Sequence, residues 1–199
     1  MDEAARLLRD GQPFEAERLL RPLTADPSAS DARAFVGLAE AREAQGDRKG
    51  ALEALAKALQ VDSKNLAANY QIGLLHFQTG EERWAAGTAE EARAEFREAI
   101  TWLDKALAIN PDFGKGLLLK GTALHRFLGR PQDGLTLLRR FVQLRPEIGE
   151  GHFLLGQALA DDGDRDAATA SLRRAAELAK PGDRRAADAL AKLAQVGRK

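Results

Sequence analysis

The sequence predicts an all-α protein made of repeated helix hairpins, and its composition is the first reason. Of its 199 residues, 38 are Ala and 30 are Leu, which favour helices. Residues that favour strands are few, with 4 Val, 4 Ile and 7 Thr. The second reason is a period of 34 or 35 residues in the positions of small residues along the chain.

Two series of small residues carry this period. One lies at candidate turns and consists of Gly11, Gly46, Gly80, Gly129 and Gly163. The other lies upstream of each turn and consists of Ala4, Ala39, Gly73, Gly121 and Gly156. Successive members are 34 or 35 residues apart, except between the third and fourth, where the interval is 48 or 49 residues. Because two series share one period and one exception, we interpret them as a structural repeat.

Each repeat is predicted to form a helix hairpin. After most turns, small or apolar residues recur at positions i, i+4 and i+7, as in Ala51, Leu55 and Ala58, and such residues share one face of a helix. Pro or polar residues then close the unit, since Pro lacks an N–H and restricts the residue before it. These signals predict helices over residues 2–10, 13–24, 31–45, 48–61, 65–79, 88–109, 115–128, 131–144, 148–161, 164–179 and 183–196.

The long interval predicts one hairpin that is larger than the others. Its 14 extra residues amount to nearly four helical turns, and two additional turns in each helix would keep the phase of both faces. The segment from Thr88 to Glu91 resembles a capping box at the start of the second helix. Residues 81–87 then form either a connection or an extension of the first helix. Within them, Trp84 either folds back to stabilise the hairpin or anchors a partner, because Trp is enriched at interface hot spots.

The phased series resembles the tetratricopeptide repeat (TPR) family. The residues that carry the resemblance are Leu38 and Ala39 with Gly46 and Ala51, Ile72 and Gly73 with Gly80, and Leu155 to Leu159 with Gly163 and Ala168. Two departures are Lys120 before Gly121 and Gly134 where Ala is usual. The resemblance implies a right-handed α-solenoid of about five TPR hairpins in one domain over residues 1–199. The predicted repeats are 1–28, 31–64, 65–112 with an insertion near 81–95, 114–147 and 148–181, followed by a capping helix at 183–196.

The two ends of the chain differ from the repeats between them. The last predicted helix places Ala186, Leu190 and Leu193 on one face and resembles the solvating helix that ends a TPR stack. The first helix is shorter than its counterparts by roughly one turn, which indicates either a frayed start or the loss of a preceding segment. We expect a cytoplasmic protein, or a periplasmic or anchored one if an N-terminal segment has been removed.

The resemblance implies that the first helix of each repeat lines a concave groove. Groove positions lie three residues before the small residue of the repeat and one, four and five residues after it. In the middle of the array they hold large apolar side chains, at Tyr70, Leu74, Phe77, Leu118 and Phe153. Polar side chains that would orient a ligand are Gln78, His125 and Gln157. The other groove positions of the last two repeats are Thr122, Arg126, Ala160 and Asp161.

An apolar groove of this kind suits a peptide or amphipathic helix of another protein. The groove positions are expected to face away from the hairpin partner, which leaves their side chains available. The alternative is that these side chains meet one another in a tight superhelix, or that a tail fills the groove. The carboxylate clamp of co-chaperone TPR domains is not expected, because only Lys115 matches it and one Lys cannot supply several charge-assisted hydrogen bonds.

Motifs for catalysis, metals and cofactors are not found in the sequence. There are no cysteines, which excludes disulfide scaffolds, zinc–thiolate sites and thiol catalysis. His76, His125 and His152 occupy different positions of their repeats and are not expected to converge on zinc. The acidic turn near Asp164 lacks the Glu of a calcium loop, so Asp164 is predicted to cap a helix. We therefore expect a protein that is not an enzyme and has no cofactor.

Charge is balanced in sum but not along the chain. The 30 Lys and Arg equal the 30 Asp and Glu, so neither nucleic acid nor a membrane is expected as a partner. Residues 1–99 nevertheless carry −5, from 13 basic and 18 acidic residues, and residues 100–199 carry +5, from 17 and 12. The hypothesis is a protein–protein interaction scaffold or adaptor whose groove binds a partner. The alternatives are a structural module for homo-oligomer assembly and an accessory TPR domain of a larger protein.

Overall fold

The computed structural model describes residues 2–25 and 31–196, which form paired α-helices and contain no strand. The helices are α1 Asp2–Arg9, α2 Pro13–Leu20, α3 Ala32–Ala44, α4 Arg48–Val61, α5 Leu66–Ala85, α6 Ala89–Ile109, α7 Gly114–Arg126, α8 Pro131–Leu144, α9 Gly149–Asp161, α10 Arg165–Glu177 and α11 Arg185–Val196. Consecutive helices pack as hairpins, so the predicted all-α class is confirmed. The predicted end of the first repeat, at residue 28, lies outside the described residues.

Most predicted helix ends lie within two residues of the observed ones, and two differ by more. The helix that starts at Pro13 ends at Leu20, not at residue 24, and a 3-10 turn follows at Pro22–Thr24. Pro22 lacks the N–H that a continuing α-helix would need, which explains the early end. The helix predicted to end at residue 79 continues to Ala85.

The chain divides into two compact units, residues Met1–Pro111 and Asp112–Lys199. Unit 1 contains the hairpins α1/α2, α3/α4 and α5/α6, and unit 2 contains α7/α8, α9/α10 and α11. Among residues 2–25 and 31–196, no helix combines the length and the apolar character that crossing a membrane would require. The description of residues 1–199 as a single domain stays a prediction.

Small residues in unit 1 let the two helices of a hairpin approach closely. A Cβ added to Gly73 of α5 would lie 3.0 Å from Leu103 Cγ and 3.2 Å from the Ala99 carbonyl oxygen of α6. One added to Gly80 would lie 2.8 Å from the ring of Phe96. Real Cβ contacts are rarely as close as those at Gly73 and essentially never as close as that at Gly80. The periodic small residues therefore mark the helix crossings.

The extra residues of the third hairpin are shared equally between its helices. α5 has 20 residues and α6 has 21, whereas α3 has 13 and α4 has 14. Each helix thus gains seven residues, about two turns. Residues 81–85 extend the first helix, and Gly87 makes the turn with a positive φ of 82°. The capping box predicted at Thr88 is wrong, because its hydroxyl donates to the Arg83 carbonyl and does not cap α6.

Polar contacts fix the first hairpin of unit 1 against the second. Gln45 of α3 donates hydrogen bonds to Glu17 Oε2 at 2.9 Å and to the Pro13 carbonyl at 3.2 Å. The guanidinium groups of Arg21 and Arg42 also contact the nearly buried Glu17 carboxylate. The hydrogen bond from Gln45, supported by both arginines and opposed by burial, lowers the pKa of Glu17 below its usual value.

In unit 2 the crossing of α7 and α8 involves two glycines. A Cβ added to Gly134 of α8 would lie 2.6 Å from the Gly121 carbonyl oxygen and 2.7 Å from the backbone nitrogen of His125. The departure of Gly134 from the repeat pattern therefore has a physical reason, since an Ala would force α7 and α8 apart. On the other side of the unit, α11 buries Ala186 and packs Leu193 against the apolar core, as expected for a capping helix.

Candidate functional site

Unit 2 contains a cavity of about 640 Å³ to which α7, α9 and α11 all contribute side chains. We call it the C-terminal cavity. Its apolar lining consists of Leu138, Leu154, Ala160, Leu172, Ala189 and Leu193. Its remaining lining consists of Thr122, His125, Arg126, Gln157, Asp161, Gly163, Arg165 and Lys192. Its size and mixed lining are typical of sites that bind a small ligand or a few side chains of a peptide.

The repeat phase places most of the predicted groove positions of unit 2 in this cavity. The positions one, four and five residues after Gly121 and Gly156 line it, and they are Thr122, His125, Arg126, Gln157, Ala160 and Asp161. The contribution of α11 was missed, although a signal existed. Extending the 35-residue period from Gly156 places a small residue at Ala191 and a groove position at Lys192, which does line the cavity.

His125 is held in the cavity wall by an acidic residue of the next repeat. Its side chain is only 6% exposed, and its Nε2 lies 3.1 Å from Oδ2 of Asp161 at the end of α9. Because a carboxylate accepts hydrogen bonds, Nε2 carries the proton in this pair. The other ring nitrogen, Nδ1, is buried and has no hydrogen-bond partner among the described residues. A buried polar atom without a partner costs on the order of 1–3 kcal/mol, so this wall is not optimised for stability alone.

The rim of the C-terminal cavity is mainly cationic. Arg126, Arg165 and Lys192 line it together with one carboxylate, that of Asp161. Arg165 donates a hydrogen bond of 2.6 Å to the Leu193 carbonyl, which joins α10 to α11. Neither Arg126 nor Lys192 forms an ion pair with another described residue, and both are exposed. The cavity thus combines an apolar floor with two accessible positive charges.

Leu118 and Phe153, predicted as apolar groove residues, do not line this cavity. Leu118 is partly buried and packs against the core cluster that includes Leu138 and Leu155. The ring of Phe153 lies under the guanidinium of Arg185, 5.2 Å from its centroid, beside a smaller cavity of about 300 Å³. The start of the capping helix therefore covers Phe153, which the sequence pattern did not predict.

In unit 1, the expectation that Phe77 faces away from its hairpin partner is wrong. Phe77 is only 5% exposed, and its ring packs edge-to-face on Phe96 of α6 with 5.4 Å between centroids and 65° between planes. The reason is Phe96, which lies on the buried face of α6 directly after its added turns and reaches Phe77 across the hairpin. This aromatic pair stabilises the hairpin by burial and by ring geometry.

The other predicted groove residues of unit 1 are half-buried. Tyr70, Leu74 and Gln78 all lie on α5, and burial raises the pKa of the Tyr70 hydroxyl above its usual value. The Gln78 Oε1 atom is buried and lacks a hydrogen-bond partner among the described residues. A cleft of about 220 Å³ in this unit lies between α1, α3 and the start of α5, and none of the three residues lines it.

Trp84 lies on the added turns of α5. It is 38% exposed, and the guanidinium of Arg93 from α6 lies 5.7 Å from its ring centroid. The ring is therefore held against its own hairpin, as one of the two interpretations predicts, while part of its surface faces solvent.

The three histidines contact three different groups. His76 Nδ1 lies 2.7 Å from Glu95, and His152 donates from Nε2 to the Pro146 carbonyl at 3.0 Å, while His125 meets Asp161. Within the described ranges, no group of three or more His, Cys, Asp or Glu side chains could hold a metal ion. Asp164 caps α10 by accepting a hydrogen bond from the Ala167 N–H at 3.1 Å, as predicted.

The comparisons with known proteins agree with this architecture. The family profile described as Tetratricopeptide repeat matches residues 1–65 and 124–183, more than half of the chain. None of the curated proteins matches the sequence.

Several solved structures share the fold at low sequence identity. PilF of Pseudomonas aeruginosa is 20% identical over 99% of this chain and 82% of its own, with a TM-score of 0.78. A thermophilic TPR protein of Thermus thermophilus is 21% identical over 98% and 97% of the two chains, with a TM-score of 0.71. MamA of Desulfovibrio magneticus RS-1 is 22% identical over 89% and 91%, with a TM-score of 0.66.

Proposed function

We propose, from the premise that the chain belongs to the tetratricopeptide repeat family, that its C-terminal cavity binds a peptide or helix of another protein. The fold is in general a protein–protein interaction scaffold. The finer assignment of the binding surface is supported by one observation above others. A cavity of about 640 Å³ lies at the groove positions that the repeat phase predicts, and its floor is apolar.

Some lining residues would give the binding its affinity, and others would set the orientation of the bound peptide. Leu154 and Leu193 are partly buried and present apolar surface to the cavity, so burying a ligand side chain against them is favourable. Gln157 lines the same cavity and offers both a donor and an acceptor for a peptide backbone. Ala160 and Ala189 contribute short side chains, which leaves the space open.

The test fills the cavity without changing charge. Ala189→Leu adds a branched side chain to the lining, and Ala187→Leu makes the same change at an exposed position of α11 that does not line the cavity. Each variant and the parent protein are used to capture proteins from the lysate of the source organism, followed by quantitative mass spectrometry. We expect a partner captured by the parent and by Ala187→Leu to be lost with Ala189→Leu.

Equal melting temperatures are the control that both variants fold. Capture of every partner by Ala189→Leu at the level of the parent protein would contradict groove binding at this cavity. A partner lost with both variants would instead point to the outer surface of α11.

We propose self-association as a second candidate, because charge separates with the two units. Unit 1 holds 14 basic and 19 acidic residues, a net −5, and unit 2 holds 16 and 11, a net +5. Attraction between unlike units of two copies would generate a head-to-tail assembly. Sedimentation velocity at low and high salt tests this, since screening should dissociate such an assembly. A monomer at all salt concentrations would exclude it.

A further inference from the structure

We infer that the occupant of the C-terminal cavity is an acidic peptide segment that inserts one bulky apolar side chain. This inference rests on the proposed function and specifies the chemistry of the partner. Three observations support it: the apolar floor, the cationic rim and the charge of the unit that surrounds them.

The floor favours an apolar side chain. Leu154 and Leu193 are only partly buried, and Ala160 and Ala189 beside them are too short to close the space. Leu138 and Leu172 lie deeper and are almost fully buried, so the cavity ends on packed apolar side chains. Water in such a space has few polar partners, and a Leu, Phe or Trp side chain would displace it favourably.

The rim favours negative charge next to that side chain. Arg126 and Lys192 lack an ion-pair partner among the described residues, and they come from α7 and α11. The one carboxylate of the lining, Asp161, already accepts a hydrogen bond from His125. Carboxylates of a bound segment would therefore find two cations that have no ion-pair partner, against the single negative charge of Asp161 in the lining.

The charge of the unit acts in the same direction. Unit 2 carries a net +5, which attracts an acidic segment before contact and repels a basic one. A lysine-rich segment with the same apolar side chain would fit the floor but would meet Arg126 and Lys192 with like charge. We therefore expect the C-terminal cavity to bind acidic segments more tightly than basic ones.

The experiment uses four labelled synthetic peptides of equal length and the full chain. Three carry a central Leu flanked by Glu, Gln or Lys, and the fourth carries a central Ala flanked by Glu. Fluorescence anisotropy at low salt gives the four affinities. We expect the Glu peptide with Leu to bind at least roughly 10-fold more tightly than the Lys peptide and than the Ala peptide, and to weaken as salt rises.

Variants connect this binding to the cavity. Arg126→Gln and Lys192→Gln should each weaken the Glu peptide by about 2- to 5-fold, the range for loss of one exposed charge pair. Arg139→Gln removes an exposed cation of α8 outside the cavity and should leave the affinity unchanged. Ala189→Leu should abolish binding, and Ala187→Leu should not.

Three outcomes would overturn the inference. Equal affinity for the Glu, Gln and Lys peptides would refute the acidic occupant while leaving groove binding intact. Binding that survives Ala189→Leu would place the peptide elsewhere. Absence of binding by all four peptides would refute the acidic occupant, and self-association that Ala189→Leu abolishes would then make a second copy of the chain the occupant. The lysate experiment above decides separately whether the proposed function stands.

Discussion

Replacing Gly134 by Ala should destabilise the protein, although Ala occupies the equivalent position in other repeats. Ala51 and Ala168 follow their turns at that position and are fully buried. At Gly134 an added Cβ would lie 2.6 Å from the Gly121 carbonyl oxygen and 2.7 Å from the backbone nitrogen of His125. Both are backbone atoms, so no side-chain rotation can relieve the overlap, and α7 and α8 would have to separate.

Two opposing effects set the size of this change. In a helix interior, Ala is favoured over Gly by about 1 kcal/mol. Overpacking a closely packed contact costs roughly 1–3 kcal/mol, and overlap with two backbone atoms places Gly134→Ala at the upper end of that range. The expected net loss in the free energy of unfolding is about 1–2 kcal/mol. For a chain of this length it corresponds to a fall in Tm of roughly 2–8 °C.

Thermal and urea unfolding followed by circular dichroism measure the effect. The matched control is Ala168→Gly, which loses about 1 kcal/mol of helix propensity and roughly 0.8 kcal/mol for the buried methyl group. Both substitutions should therefore lower Tm, even though they are the reverse of each other. A higher Tm for Gly134→Ala would show that helix propensity outweighs packing there and would refute the account of the α7/α8 crossing.

Three further predictions concern unit 1 and the capping helix. Phe77→Ala should cost about 3–5 kcal/mol in unfolding free energy because the ring is buried, whereas Phe153→Ala should cost clearly less in the same urea titration. Ionised Glu17 stabilises the folded protein. This contribution is complete above pH 4.5, the ordinary carboxyl pKa, and is lost as the pH falls through the lower pKa that Glu17 has in the folded state. Tm should therefore decline more steeply on acidification for the parent protein than for Glu17→Gln, and parallel declines would contradict the lowered pKa. Trp84→Ala should lower the free energy of unfolding by roughly 0.5–1 kcal/mol through loss of the contact with Arg93. Unchanged stability with weaker partner capture would instead favour a role in binding.

The helix pairing could be predicted from the sequence because one periodic series of small residues marks most of the turns and the other marks the helix crossings. Gly73 and Gly121 each lie where a Cβ would meet the partner helix. An equal division of the inserted residues between α5 and α6 keeps the phase of both apolar faces, but the sequence left open whether residues 81–87 extend the first helix or form a connection. The groove positions near the C-terminal cavity follow from the same phase.

What could not be predicted depends on contacts between residues far apart in the chain. The burial of Phe77 requires Phe96, and the sequence pattern of α5 contains no information about the length of α6 at that point. The cover over Phe153 requires Arg185, which lies beyond the last repeat. Thr88 has the residue type of a helix cap, but its hydroxyl is used by the Arg83 carbonyl across the turn. In each case tertiary contact outweighs a local preference.

Three of the polar contacts between repeats share a spacing that bears on how the hairpins stack. Arg48 pairs with Glu82, 34 residues later in unit 1, and Glu150 with Arg185, 35 residues later in unit 2. His125 meets Asp161 after 36 residues. Each pair thus joins residues about one repeat apart, so a shift of one hairpin along its neighbour would break every such contact within a unit. Apolar small residues set the distance within a hairpin, and these directional contacts set the register between hairpins. Because His125 belongs to both the register contact and the cavity wall, stacking and the proposed ligand binding share a residue in unit 2.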